Sequence, residues 1–209
     1  MDLSTGDDPS FRRWLRSFLA ENWSNGDRPD GAAAAGFRQR AVAARLLYRS
    51  IPVEYGGSGQ PPDSVRAQII REEFGRAGAP GELPGVGVAL LVPTLLQHGT
   101  PDQRSRFIAP TLAGEIRWCQ GYSEPEAGSD LEALRTTAVP DGTGWVINGQ
   151  KVWTSGAYQA NWMFLLARTE PGKPRRAGLS YLLLDMGQPG VEVRPLRQIN
   201  GSAEFSEVF

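Results

Sequence analysis

The chain is poor in the residues that build stapled or metal-held scaffolds. Cys119 is the only cysteine and His98 the only histidine among 209 residues. No internal disulfide and no Cys/His zinc cluster can form from that set. Charge of neither sign is in excess: 22 Lys and Arg stand against 23 Asp and Glu, a formal net charge of −1. That balance gives no electrostatic reason to expect nucleic acid or an anionic membrane as a partner. No run is long and apolar enough to span a bilayer. Residues 1–8 are acidic and lack the basic-then-apolar order of a secretory leader, so the cytoplasm is the expected location. Phosphate-cradle motifs are missing too. Ile51–Gly59 has glycines at 56, 57 and 59 but no Gly-Lys-Ser/Thr after it, and Gly85-Val86-Gly87 lacks the third glycine of a dinucleotide fingerprint.

What is present divides into two halves of different period. Asp8-Pro9 reads as a helix cap followed by a first-turn proline, and Phe11, Trp14, Leu15, Phe18 and Leu19 then recur at helical spacing as a core stripe. A break containing Gly, Asp and Pro precedes an Ala- and Arg-rich helix expected over 36–50. Asp63 caps a third helix carrying Val65, Ile69, Ile70 and Phe74. Residues 86–98 are almost wholly apolar, which predicts a buried helix that Pro93 kinks or whose boundary it shifts. His98 then falls in a last turn, and Thr100-Pro101-Asp102-Gln103 opens the next helix with the pattern of a capping box. His98 is explained by that position and is not assigned to catalysis.

From Arg117 onward the pattern is short extended runs between turns. Along Trp118–Ser123 the period of two puts Trp118, Gln120 and Tyr122 on one face and Cys119, Gly121 and Ser123 on the other. Pro125 keeps Glu124 extended, and Gly128-Ser129-Asp130 follow as a polar turn whose glycine admits close approach of backbone to a ligand. Asn148-Gly149 between apolar runs predicts a two-residue hairpin pairing Ile147 with Gln150, Val146 with Lys151 and Trp145 with Val152. Strict alternation would then set Lys151, Trp153 and Ser155 on one face. An indole beside a hydroxyl two residues on suits a planar heterocycle, and equally suits ordinary sheet packing. Further strands are expected over 162–168, 179–186 and 191–196, with turns at Pro171-Gly172 and Pro189-Gly190. Ala203–Phe209 alternates like a strand and stops without a polar tail, the pattern of an interrupted protein. Helices first and strands second imply an α+β class.

Gly121–Leu131 and the run Asn148-Gly149-Gln150-Lys151-Val152-Trp153-Thr154-Ser155, supported by Gly178–Leu184 and Pro189-Gly190-Val191, resemble the acyl-CoA dehydrogenases from the early helices almost to Phe209. The resemblance implies an all-helical domain over 1–115 and an antiparallel β-barrel-like middle domain over 116–209, with the family's carboxy-terminal helical domain absent. It implies FAD as cofactor, with Gln120, Tyr122, Ser123, Gly128, Trp153, Thr154 and Ser155 on the cofactor side. Within that set Trp153 packs by the flavin. Ser155 stands for the usual threonine near N5, while Gln120 departs from the family's aromatic or apolar residue. Ser129 matches the serine that contacts the CoA portion of the substrate.

The implied reaction is α,β-dehydrogenation of an acyl-CoA thioester, with an electron-transfer flavoprotein or another acceptor as electron partner and a homo- or hetero-oligomer as the assembly. The family's base is a glutamate of the domain not seen here. None of Glu115, Glu124 or Glu126 matches it, so no catalytic residue and no metal site is assigned. Three readings stay open at this point. The chain is a fragment or partial subunit of a dehydrogenase, inactive by itself, or a non-catalytic flavin- or acyl-CoA-binding partner subunit. The third reading is a flavin monooxygenase or nitroalkane oxidase on the same fold.

Overall fold

A computed structural model describes residues 7–24 and 31–209. The reading of residues 1–6 as free of a secretory leader and the break at 25–30 lie outside them. Chain contacts separate two compact units. One takes the described residues through Pro84 with His98–Ala113, and the other takes Gly85–Gln97 with Gly114–Phe209.

The first unit is helical, and its caps follow the sequence closely. Asp8 accepts the Phe11 N–H at 3.0 Å to start α1 (Pro9–Asn22), and Asp63 accepts the Arg66 N–H at 2.9 Å to start α3 (Ser64–Ala77). The α1 stripe is core only in part: Leu15 and Leu19 are buried, whereas Trp14 is half exposed. Helix α2 runs over Gly31–Ala43, not 36–50. The alanines at 32–35 extend it backward, and its forward end is overridden by burial. Leu46, Leu47 and Tyr48 turn into the interior, with Arg45 and Tyr48 in left-handed conformations. The Tyr48 hydroxyl accepts from the Leu83 N–H at 2.9 Å and donates to the Leu112 carbonyl at 3.1 Å, bonds that a continued helix would forfeit. A side-chain carbon at Gly57 would lie 2.1 Å from the Ile51 carbonyl oxygen, so this turn requires glycine.

Over 86–98 the apolar run forms a π-helical turn, Gly87–Leu91, followed by α4 (Val92–His98). The change of helix type falls directly before Pro93, the boundary shift that its missing N–H predicts. Helix α5 (Pro101–Ala113) opens with the expected box: the Thr100 N–H donates to Gln103 Oε1 at 2.9 Å, and the Gln103 N–H donates to Thr100 Oγ1 at 3.2 Å.

The second unit holds eight strands in two sheets. In the larger sheet β5 (Trp162–Arg168) pairs in parallel with β1 (Trp118–Gly121) and antiparallel with β6 (Leu179–Asp185). It also meets β2 (Thr137–Asp141), which pairs antiparallel with β3 (Gly144–Asn148). The smaller sheet has the order β4 (Lys151–Ser155), β8 (Phe205–Val208), β7 (Val193–Leu196), all antiparallel. The α+β class stands. The described strands form two sheets, and the β1–β5 pairing departs from a purely antiparallel pattern. Between those two strands the chain leaves for β2, β3 and β4, then re-enters beside its starting point in the same direction.

The Asn148-Gly149 hairpin is not formed. Strand β3 pairs back onto β2, with Val146 opposite Val139 and Trp145 opposite Pro140, while β4 joins the other sheet. Neither Asn148 nor Gly149 has positive φ, which the predicted turn needs. Gly149 serves a close approach instead, since a side-chain carbon there would lie 2.2 Å from Thr136 Oγ1. The true hairpin turn is Gly142-Thr143, with Asp141 opposite Gly144 and Gly142 at φ +60°. The core of this unit gathers Cys119, Ala138, Ala157, Met163, Leu165, Ala167 and Val208. Burial pushes the Cys119 thiol up to about 12, so it is an inert packing residue.

Candidate functional site

Two stretches almost without charge carry one charge each. Glu124 is the only charged residue of 118–125 and Lys151 the only one of 145–155. The structure joins them. Both side chains are buried, and Lys151 Nζ meets Glu124 Oε1 at 2.8 Å. Lys151 also donates to the Tyr122 carbonyl at 3.1 Å, while Glu124 accepts the backbone N–H of Arg135 at 2.6 Å and of Thr136 at 3.0 Å. The Val152 N–H donates to the Ser123 carbonyl at 2.9 Å. Three segments are thus fixed together: the loop after β1, the entry to β2, and β4. Burial alone would raise the Glu124 carboxyl, but the Lys151 ammonium and the backbone donors hold it below its ordinary value. A carboxylate tied in this way is not free to take a substrate proton.

The loop itself closes at Glu124 and Ala127, which exchange backbone hydrogen bonds of 2.9 and 3.1 Å around Pro125-Glu126. Beyond it Gly128 and Ser129 are exposed. A side-chain carbon on Gly128 would meet nothing within 4 Å, so none of the described residues requires glycine there. Asp130 meets Arg175 at 3.3 Å, which ties the turn at 175–178 to the residue after Ser129.

Strand β4 does not alternate as the sequence suggests. Lys151 pairs with Val208 and Thr154 with Ser206, so one extra residue is accommodated between them as a bulge. Trp153 takes up the irregularity at φ +59°, a left-handed conformation that bulky residues rarely adopt. In consequence Lys151 and Thr154 both point inward, and Trp153 and Ser155 are exposed, Trp153 to 63%. Lys151 therefore does not share a face with Trp153. Thr154 is also separated from that pair, since its side chain is buried opposite Ser206. Phe205 flanks the Trp153 ring edge-on at 6.1 Å.

The alternation read along β1 does hold. Trp118 and Tyr122 both contact Phe164, with ring centroids at 6.4 and 6.0 Å, and Cys119 faces the opposite core. Gln120 lies between them, partly buried and in register with Phe164. Phe164 stacks on Tyr181 at 5.6 Å. Burial raises the Tyr122 phenol, so it stays protonated and able to donate. Among the predicted residues, Tyr122 and Ser123 are thus stitched to the strand that bears Trp153 and Ser155, Gln120 sits one step back, and Ser129 stands apart on the loop. The ion pair and the left-handed Trp153 escaped the sequence reading. Two lone opposite charges in otherwise neutral strands were the available signal.

Comparison with known proteins supplies an independent line. Residues 7–115 match the family model described as acyl-CoA dehydrogenase, N-terminal domain, and residues 119–208 match acyl-CoA dehydrogenase, middle domain. The acyl-CoA dehydrogenase IpdE1 of Mycolicibacterium smegmatis is 50% identical, with 95% of this chain and 56% of that protein aligned. The protein of the same name from Mycobacterium tuberculosis is 46% identical over 95% of this chain and 54% of its own length. Among solved structures, the ChsE4-ChsE5 complex from Mycobacterium tuberculosis superposes with a TM-score of 0.72 at 33% identity, covering 100% of this chain and 54% of that one. The chain spans about half the length of these relatives. Among the described residues, no helix is long and apolar enough to cross a membrane, and no group of His, Cys, Asp or Glu could hold a metal ion.

Proposed function

The chain belongs to the acyl-CoA dehydrogenase family, and from that premise we propose that it forms the part of a dehydrogenase that receives FAD and the CoA portion of a thioester. The observation that carries the reading is the exposed indole of Trp153 beside the exposed Ser155 hydroxyl, on a strand bonded to the loop that follows β1. Trp153 leaves an apolar plane uncovered by its own fold, and Ser155 and the backbone at Tyr122–Ser123 offer polar groups near it. Those features fit a flavin ring, which needs flat apolar walls and a few hydrogen bonds. When bound, FAD supplies an acceptor for the β hydride of the acyl chain. The chain's own contributions are orientation and electrostatics: Trp153 walls the ring, the Ser155 hydroxyl donates where negative charge develops, and Ser129 holds the CoA moiety. Gln120 and Gly128 line the same region, and Thr154 contributes through its backbone. No residue of this chain is given the α-proton transfer.

Partners follow from the chemistry. Electrons leave to an electron-transfer flavoprotein or another acceptor, and the working assembly is a homo- or hetero-oligomer in the cytoplasm. The solved neighbour is itself a two-component complex, which favours a second reading of this chain as a partner subunit whose companion supplies the base.

Two substitutions test the assignment in an assembly that binds FAD. Trp153→Ala removes stacking area and is expected to weaken FAD binding about tenfold. An unchanged flavin affinity and absorption spectrum would remove Trp153 from the site. Ser129→Ala is expected to raise the apparent KM for acyl-CoA about tenfold with flavin content intact, the loss of a hydrogen bond to a charged or strongly polar ligand group. Loss of FAD with normal KM would show that Ser129 serves the cofactor instead.

A further inference from the structure

We infer that the buried Lys151–Glu124 pair is a positioning device that holds Trp153 in its left-handed bulge. The inference rests on the reading of Trp153 as a flavin contact for its use, but not for its geometry. In a regular strand, residues three apart face opposite sides. Lys151 and Thr154 nevertheless both face inward, at 3% and 1% exposure. Lys151 is drawn in by Glu124 and by the Tyr122 carbonyl, and Thr154 packs opposite Ser206. Both demands can be met only if one extra residue is taken up between them, and the register shift of β4 against β8 is that residue.

The strain falls on Trp153, at φ +59°. A left-handed backbone disfavours a bulky L-residue, so it persists only where its surroundings over-determine it. Here the over-determination is explicit. The bulge is bounded by an ion pair on one side and a buried threonine on the other, and the Val152 N–H is fixed to the Ser123 carbonyl in between. The same Glu124 fastens Arg135 and Thr136, so one carboxylate sets the spacing between the loop after β1, the entry to β2, and the indole. The result is the exposure of both Trp153 and Ser155, which regular alternation from an inward Lys151 would not give.

The test reads geometry without flavin, so it fails or succeeds separately from the FAD reading. The 209-residue chain is labelled with 15N, and the Trp153 indole signal is identified by its loss in Trp153→Phe. The variant is Lys151→Met with Glu124→Gln, which removes both charges together and leaves an amide oxygen for the backbone donors. Paired apolar or neutral replacement of a buried ion pair is commonly tolerated by the fold. The Trp153 signal is expected to shift or broaden, and the Val152 amide to exchange about tenfold faster or more as the local opening becomes easier. The Trp14 and Trp23 indoles of the helical unit should stay in place. A Trp153 signal and a Val152 rate both within twofold of wild type would overturn the inference. If the double variant does not fold, the wild-type chain decides. Amides of Arg135, Thr136 and Val152 should then open as one cooperative group, and independent opening of Val152 would overturn it.

Discussion

Glu73→Ala is expected to destabilise the helical unit by about 2–3 kcal/mol, the range for removing a buried carboxylate from charged hydrogen bonds. Glu73 is 2% exposed on α3 and accepts from three arginines. Arg12 reaches it at 2.9 Å, Arg16 at 2.8 and 2.9 Å, and Arg76 at 2.8 Å. The effect is placed below the largest known for buried pairs because Arg16 and Arg76 are about half exposed and can rehydrate once the carboxylate is gone. The Arg16 hydrogen bonds are the leading cause that lowers the Glu73 carboxyl from 4.5 to about 2, with Arg12 and Arg76 adding to them against the opposing effect of burial. The sign follows from that depression. The stabilisation is complete above about pH 4.5 and drains away as pH falls toward about 2, because the unfolded chain then binds a proton that the folded one resists. Urea midpoints at pH 7 and pH 3 check both parts. The variant should lose stability at pH 7 and show a weaker acid dependence than wild type, and equal midpoints at pH 7 would refute the cluster's role.

Much of the helical unit was legible because its signals are local. Asp8, Asp63 and the Thr100/Gln103 box act within one turn of chain, and the structure returns their hydrogen bonds. The forward end of α2 was not legible because it is set by residues far along the chain, Leu83 and Leu112, which bond the Tyr48 hydroxyl. In the strand unit, 162–168 and most of 179–186 came through as β5 and β6 from their apolar runs and flanking turns.

Pairing was harder than strand location. Asn148-Gly149 has the composition of a hairpin turn, but Gly149 is there to clear Thr136, and the less prominent Gly142-Thr143 makes the turn. A dipeptide reports the conformations open to it and not the neighbour that decides among them. The same limit governs the site. Period two put Tyr122 on the face of Trp118 and kept Trp153 with Ser155, and it failed at Lys151 because a bulge between Lys151 and Thr154 resets the face. The family resemblance points to Trp153 and Ser155 without the geometry, and the geometry makes both exposed by a route that alternation does not contain.

The second large effect concerns flavin content and turnover. The proposed site is one face: Trp153 and Ser155 on β4, with the Tyr122–Ser123 backbone bonded to that strand. A flavin bound to one face loses mobility without being fully desolvated, so its affinity is low. The relatives that this chain matches are about twice its length. The 209-residue chain alone is therefore expected to hold FAD far below one per chain and to oxidise no acyl-CoA. The decisive measurement purifies it alone and again together with the carboxy-terminal helical domain of a relative. In each preparation, bound flavin is quantified by absorbance, and acyl-CoA oxidation is followed with an artificial electron acceptor. The proposed function predicts little flavin and no turnover for the chain alone, and near-stoichiometric FAD with turnover once the helical domain is supplied, both lost again with Trp153→Ala. Stoichiometric FAD and turnover from the chain alone, or an assembled complex that stays free of flavin, would contradict it.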